Sequence, residues 1–155
     1  MVQKFLAWAE KGKWNIKMRE EPLTLPDEIQ KRYHIPAEWL AFIEHFSLCA
    51  SEDCSKWFIT FEDHHNDSGY QWNEFEQISL GAAEDDAIWS ENIKDFWDRH
   101  LPIFMSVGGD YEYYAIDTEN GNVVQGWEPE FEEAEVVADS FEDFIQKVMS
   151  DEILL

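Results

Sequence analysis

The sequence predicts an α+β fold with an antiparallel sheet, and the order of its local patterns is the reason. Helical patterns lead the chain, strand patterns fill its middle, and one further helical pattern closes it. Segments of each type that come in separate runs, without regular alternation, are typical of α+β domains. A chain of 155 residues has the length of one domain with a core of ordinary size.

The strongest strand signal lies between residues 101 and 127. An apolar run at residues 103–107 is followed by residues 111–116, which alternate with the period of two typical of a strand. Asn120-Gly121 suits the positive φ angles of a tight reversal, and the apolar pattern resumes at Val123. The stretch predicts two antiparallel strands and an approaching strand at the centre of the sheet.

Five helices and two further strands complete the prediction. Apolar residues share one face in the helices at 2–11, 36–46 and 140–148. Further signals are Pro26 at a start, Gly12 at an end, and a capping box of Asp139 or Ser140 with Glu142. The helices are predicted at residues 2–11, 26–34, 36–46, 84–100 and 140–148. The strands are predicted at residues 56–61 and 74–80, with an exposed basic connector at 11–19 and a polar loop at 62–70.

Charge is distributed unevenly along the chain, whose formal net charge is −23. Residues 1–56 hold 8 of the 11 basic and 9 of the 34 acidic residues, so residues 57–155 hold 3 basic and 25 acidic residues. Such a field repels nucleic acid and anionic membranes and attracts cationic partners. Acidity can also serve solubility alone, but a charge that avoids the first third of the chain favours a partner.

Cysteine content and hydropathy predict a cytoplasmic protein with reduced thiols. Cys49 and Cys54 are the only cysteines, which makes neither a disulfide framework nor a zinc site expected. The chain shows no apolar run of the length of a signal peptide or of a membrane span. We therefore expect no membrane association.

No motif predicts catalysis, a cofactor or a metal. His64-His65, among Glu62, Asp63 and Asp67, resembles a metal cluster, but adjacent histidines point in different directions, so we favour a solvated loop. The two glycines at 108–109 lack the lysine and helix of a phosphate loop and are better suited to a bulge or close backbone packing. We expect no enzyme.

The segment from Trp127 to Glu133 is the best candidate for a binding site. Aromatic anchors among carboxylates suit a surface that meets a basic protein, because rings supply buried area and charges supply steering. The alternative is a loop whose Trp127 and Phe131 turn inward while its acids are solvated. The predicted partner-binding residues are Trp127, Glu128, Glu130, Glu132 and Glu133, followed by Asp63 and Asp67.

Several segments together resemble the SUKH superfamily, which includes the fungal Smi/Knr regulators of cell-wall synthesis. They are the helical opening at residues 25–43, the central segment at 101–117 with its Gly-Asp turn, the strand at 123–127 and the closing helix at 138–144. The resemblance covers roughly residues 23–149, so we separate an N-terminal helix and connector, 1–22, from a SUKH-like part, 23–155. The chain departs from the family pattern at residues 47–51 and in its polar insertion at 63–69.

The resemblance implies a single antiparallel sheet flanked by helices, and a role in protein binding. Bacterial members of the superfamily mostly act as immunity proteins, which bind and neutralise toxins that are often nucleases. We therefore expect a non-enzymatic immunity protein that binds a cognate, basic toxin domain and does not bind nucleic acid directly. The alternatives are a regulatory adaptor or scaffold that binds a cytoplasmic partner and, third, a mimic of DNA.

Overall fold

The framework of the protein is one seven-stranded antiparallel sheet, shown by a computed structural model that describes all 155 residues. The strands lie side by side in chain order. They are β1 (Asn15–Met18), β2 (Phe46–Ala50), β3 (Lys56–Phe58), β4 (His100–Ser106), β5 (Glu112–Asp117), β6 (Val123–Trp127) and β7 (Glu135–Ala138). The helices are α1 (Val2–Lys11), α2 (Asp27–Arg32), α3 (Ala37–Ile43), α4 (Phe61–His64), α5 (Glu74–Ala82), α6 (Ala87–Arg99) and α7 (Phe141–Met149). The predicted α+β class is confirmed, as is a single antiparallel sheet flanked by helices.

The sheet has a hydrophobic core on each face. Strand β4 is central and buried at every position, so both of its faces must be covered. Phe104 and its β5 partner Tyr114 belong to a larger core with α1, α3 and α7. Met105 and its partner Tyr113 belong to a second core with α5 and α6. Alternate side chains of one strand therefore hold two helical layers together.

The N-terminal segment is built into this framework. Phe5 of α1 is fully buried and packs edge-on against Phe42 and Phe58, with ring centroids 4.9 and 5.4 Å apart. The predicted connector at residues 11–19 is wrong for its second half, which forms the edge strand β1. Arg19, which follows β1, is bound by Glu62 and the backbone carbonyl of Phe46 instead of being exposed.

Two predicted strands are corrected by the structure. Residues 74–80 form α5, because Phe75, Glu76 and Ser79 share the buried face of a helix, and the alternation of acidic and apolar residues there is incidental. The strand predicted at 56–61 ends at Phe58. Helix α4 begins at Phe61, the last residue of that predicted strand, and continues into the predicted polar loop. Strand β7 was not predicted, since its residues follow the acidic segment without a turn signal.

Helix α7 has the predicted amphipathic pattern, with Phe141, Phe144, Ile145 and Val148 buried. Its capping box uses a different acid from the one predicted. The Ser140 hydroxyl accepts a hydrogen bond from the Asp143 amide at 3.0 Å, and the Asp143 carboxylate accepts one from the Asp139 amide at 3.0 Å. The Ser140 hydroxyl therefore caps the helix, and Asp143, not Glu142, is the acid that accepts from the backbone just before it.

The predicted turn between β5 and β6 is stabilised by a buried carboxylate. Asp117 accepts two hydrogen bonds from Arg99, at 2.8 and 2.6 Å, and a further one from the side-chain amide of Asn120 at 3.0 Å. In the Asn120-Gly121 pair only Gly121 has the positive φ, at +83°. None of the helices in the chain is long and apolar enough to cross a bilayer.

His64 lies in the interior, although the sequence predicted a solvated loop. The side chain is 9% exposed, neither ring nitrogen has a hydrogen-bond partner, and its ring lies 5.0 Å from that of Trp72. Burial lowers the pKa of His64 to about 3 because the charged imidazolium would lose its hydration. The fold therefore accommodates this histidine only in its neutral form.

His64 should make the protein less stable as the pH falls. Between pH 6.5 and about 3 the unfolded chain binds a proton at this position that the folded chain does not, which costs about 1.4 kcal/mol per pH unit. Urea unfolding at pH 7.0, 5.5 and 4.5 should show that His64→Leu loses less stability on acidification than the wild type. The exposed His34 supplies the control variant, His34→Leu. Parallel stability curves for wild type and His64→Leu would contradict the buried neutral state.

Candidate functional site

Three loops meet at one end of the sheet, which we call the loop end: residues 51–55, 107–111 and 128–134. They meet because the strands follow one another in antiparallel order, so that every second connection lies at the same end. The Val107 amide donates to the Ser55 carbonyl at 2.8 Å, and the Glu128 amide donates to the Tyr111 carbonyl at 2.9 Å. Segments far apart in the sequence therefore form one surface.

The carboxylates of the loop end have no cationic partners within the chain. They are Glu52, Asp53, Asp110, Glu128, Glu130, Glu132 and Glu133. None of the ion pairs of the protein involves these carboxylates. In the acidic part of the chain, Arg99 is paired with Asp117 and Lys147 with Asp143. The negative charge of the loop end is thus balanced only by solvent or by a partner.

The loop at residues 128–134, which we call the acidic loop, is anchored in the second core by Phe131. This side chain is 2% exposed, and its ring stacks on that of Phe75 with centroids 4.5 Å apart and planes 4° from parallel. The Tyr113 hydroxyl donates a hydrogen bond to the Phe131 carbonyl. One apolar anchor and one buried hydrogen bond therefore fix the backbone that carries the charges.

The acidic loop holds two of its carboxylates in place and leaves two free. Glu132 accepts hydrogen bonds from the Ser79 hydroxyl at 2.9 Å and the Trp97 indole at 3.3 Å, and burial raises its pKa. The Glu128 carboxylate accepts a hydrogen bond from the Tyr111 amide at 3.0 Å. The side chains of Glu130 and Glu133 are exposed. The loop therefore presents charge on a backbone that is largely ordered before any partner arrives.

Of the two interpretations that the sequence left open, Trp127 fits the binding surface and Phe131 fits the inward-turned loop. Trp127 is 42% exposed, as a binding surface requires, whereas Phe131 is buried as the alternative expected. In β6 the side chains alternate, with Val123 in the larger core and Val124 in the second core, so Trp127 shares the face of Val123. Trp127 therefore lies on the opposite face of the sheet from Phe131.

Asp63 and Asp67 differ in their surroundings. Asp63 caps α4, where its carboxylate accepts hydrogen bonds from the Thr60 amide at 2.7 Å and the Thr60 hydroxyl at 3.1 Å. Its role in the structure is therefore that of a helix cap. Asp67 is exposed in the loop between α4 and α5. The Tyr70 hydroxyl of that loop lies 2.9 Å from the Tyr111 hydroxyl, so the loop that carries Asp67 contacts the loop end through Tyr70.

The sequence pattern does not predict a groove that lies beside the acidic loop. It lies between that loop and helices α5 and α6, has a volume of about 300 Å³, and is lined by Ile78, Trp89 and Pro129 among carboxylates. Ile78 is 41% and Trp89 46% exposed. The strand predicted at residues 74–80 does not place Ile78 beside the acidic loop. In the helix that forms there, Ile78 lies one turn from Phe75, near that loop.

The loop end and its groove offer negative charge and exposed apolar surface, which together suit contact with a basic macromolecule. The carboxylates that carry this charge lie on loops held by the rigid sheet, as binding residues commonly do. No protein-family model matches the chain, and a search of curated proteins finds no match.

Phe131→Ala should release the acidic loop from the second core. Loss of the stacked ring leaves a cavity against Phe75, and we expect a loss of about 3–5 kcal/mol in the free energy of unfolding. Urea unfolding measures this loss, and the indole NMR signal of Trp97 should move as Glu132 loses its position. Glu133→Gln, in the same loop but exposed, is the control and should stay within about 0.5 kcal/mol of the wild type. Equal stabilities for the two variants would show that Phe131 is not the anchor.

Proposed function

We propose that the protein is a non-enzymatic immunity protein that binds and neutralises a basic bacterial toxin domain of the nuclease type. The observation that carries this proposal is the loop end, whose carboxylates lack any cationic partner while ion pairs form elsewhere. A rigid loop with unbalanced charge is suited to a partner of opposite sign. The half-exposed Trp127 adjoins this loop and supplies apolar contact area.

Electrostatics makes a nuclease-type toxin a suitable partner. Nuclease active sites are often basic because they hold phosphates, so an acidic surface can occupy the same position as the nucleic acid. Complementary charge raises the rate of association, and this matters for a protein that must reach a toxin before the toxin reaches its substrate. The net charge of −23 repels nucleic acid, so the protein would bind the toxin and not the nucleic acid on which the toxin acts.

The resemblance to the SUKH superfamily supports the toxin part of the proposal, and a cytoplasmic location follows from the same role. The binding residues are Trp127, Glu128, Glu130, Glu132 and Glu133, with Asp67 at the margin. Asp63 contributes by holding α4 and the loop that follows it. In this proposal the protein acts by remaining bound.

Charge neutralisation tests the proposal. The triple variant Glu128→Gln, Glu130→Gln and Glu133→Gln should associate with the toxin domain encoded beside the gene about tenfold more slowly at low salt, because steering is weakened. Surface plasmon resonance at 50 and 500 mM salt measures this, and the difference between variant and wild type should shrink at high salt.

The matched control carries the same change in net charge away from the loop end, at the exposed residues Glu20, Glu21 and Glu28, each replaced by Gln. It should retain most of the wild-type association rate. An equal effect of the two triple variants would mean that net charge alone acts, and would remove the loop end as the binding surface. Binding without inhibition of the toxin's activity would favour the regulatory adaptor instead.

A further inference from the structure

The groove beside the acidic loop combines an apolar wall with carboxylates on one side. Ile78 and Trp89 come from helices α5 and α6, while Pro129 and Glu130 come from the acidic loop. Ile78 is 41% and Trp89 46% exposed, so the groove offers a ligand apolar surface beside carboxylates that no cation of the chain pairs. An occupant must offer both an apolar stem and a positive charge.

Glu132 gives the groove a fixed acceptor. Both of its hydrogen bonds, from the Ser79 hydroxyl and the Trp97 indole, end on Oε2. The other oxygen, Oε1, has no hydrogen-bond or ion-pair partner within the chain, and it belongs to a side chain that lines the groove. The donors come from α5 and α6, so two helices orient this carboxylate before a ligand binds. Burial raises the pKa of Glu132 because it disfavours the charged carboxylate. A cation bound beside it would favour the charged form again.

The protein itself shows how it binds guanidinium groups elsewhere. Arg19 lies over the Phe61 ring at 4.8 Å while it pairs with Glu62. Arg32 lies over the Tyr33 ring at 5.2 Å while it pairs with Glu76 at 2.5 Å. Each of these arginines has at least one aromatic face and one carboxylate as neighbours, and Arg32 also has Trp72 and Asp98. In the groove, the Trp89 ring and Glu132 provide the same two elements, but no arginine of the chain is present there.

We propose that the groove binds an arginine side chain presented by the basic partner, with the guanidinium on Glu132 Oε1 and the stem against Ile78 and Pro129. The charge of the groove matches this occupant, since no cation of the chain pairs with Glu130, Glu132 or Glu133. The planar guanidinium stacks on an indole while its forked N–H groups donate to the free carboxylate oxygen, and an ammonium group has neither the plane nor the fork. Arginine should therefore bind better than lysine. This inference rests on the proposed function and names the chemical group that the partner must supply.

Titration with a small probe tests the groove without any partner protein. N-acetyl-arginine amide is added to ¹⁵N-labelled protein, and the indole NMR signals of Trp89 and Trp97 are followed. Both signals should shift in a saturable manner, while N-acetyl-lysine amide should require at least fivefold higher concentrations. The neutral N-acetyl-citrulline amide, which has a similar shape, should cause no saturable shift. Equal titration curves for the arginine and lysine probes would overturn the proposal.

Two variants assign the effect to the groove. Glu132→Gln keeps an oxygen for the hydrogen bonds from Ser79 and Trp97 but removes the charge, and it should weaken binding of the arginine probe about tenfold. Glu20→Gln, at an exposed position away from the groove, removes the same charge and should leave the titration as in the wild type. An unchanged affinity of Glu132→Gln would place the probe elsewhere and exclude the groove.

The two proposals fail in different ways. If the arginine probe does not shift the groove signals while the toxin still binds in a salt-dependent manner, the arginine groove is wrong and the proposed function stands. If the probe binds as expected but no toxin domain is captured, the groove remains an arginine site and the proposed function is wrong. Capture that is unaffected by Glu132→Gln would also overturn the arginine groove as the contact with the partner.

Discussion

The complete burial of β4 is the constraint on which the rest of the structure depends. Seven consecutive buried residues in one central strand require cover on both faces of the sheet. Phe104 and Met105, neighbours in this strand, enter different cores. Helices from both ends of the chain cover one face, while α5 and α6 cover the other. The second layer makes the groove possible, because it brings Ile78 and Trp89 beside the acidic loop.

The acidic loop is a compromise between stability and exposed charge. Like charges close together repel one another and oppose a compact state, and no ion pair of the chain includes a carboxylate of this loop. The anchor at Phe131, the hydrogen bond from Tyr113 and the donors to Glu132 hold the loop against this repulsion. The raised pKa of Glu132 is a sign of the same conflict, since burial disfavours its charge. A partner that supplies positive charge would relieve it.

Periodicity predicted the helices and strands whose side-chain pattern fits only one type of secondary structure. The amphipathic α7 and the strands β4 to β6 were predicted in position and type, because a continuous apolar face leaves little choice of structure. Residues 74–80 were misassigned because Glu74, Phe75 and Glu76 alternate by chance. His64 was misplaced for a related reason, since a polar neighbourhood in the sequence says little about a ring that packs against Trp72.

The sequence by itself determined the α+β class, the central antiparallel strands and the negative charge of residues 57–155, since these follow from local pattern and composition. Only the tertiary structure decided which carboxylates lie together. It placed Glu128, Glu130 and Glu133 at one end of the sheet. It also buried Phe131, left Trp127 exposed, and made Asp63 the cap of α4. The physical reason is that these outcomes depend on contacts between distant segments, such as Phe131 with Phe75, and local sequence carries no record of such contacts.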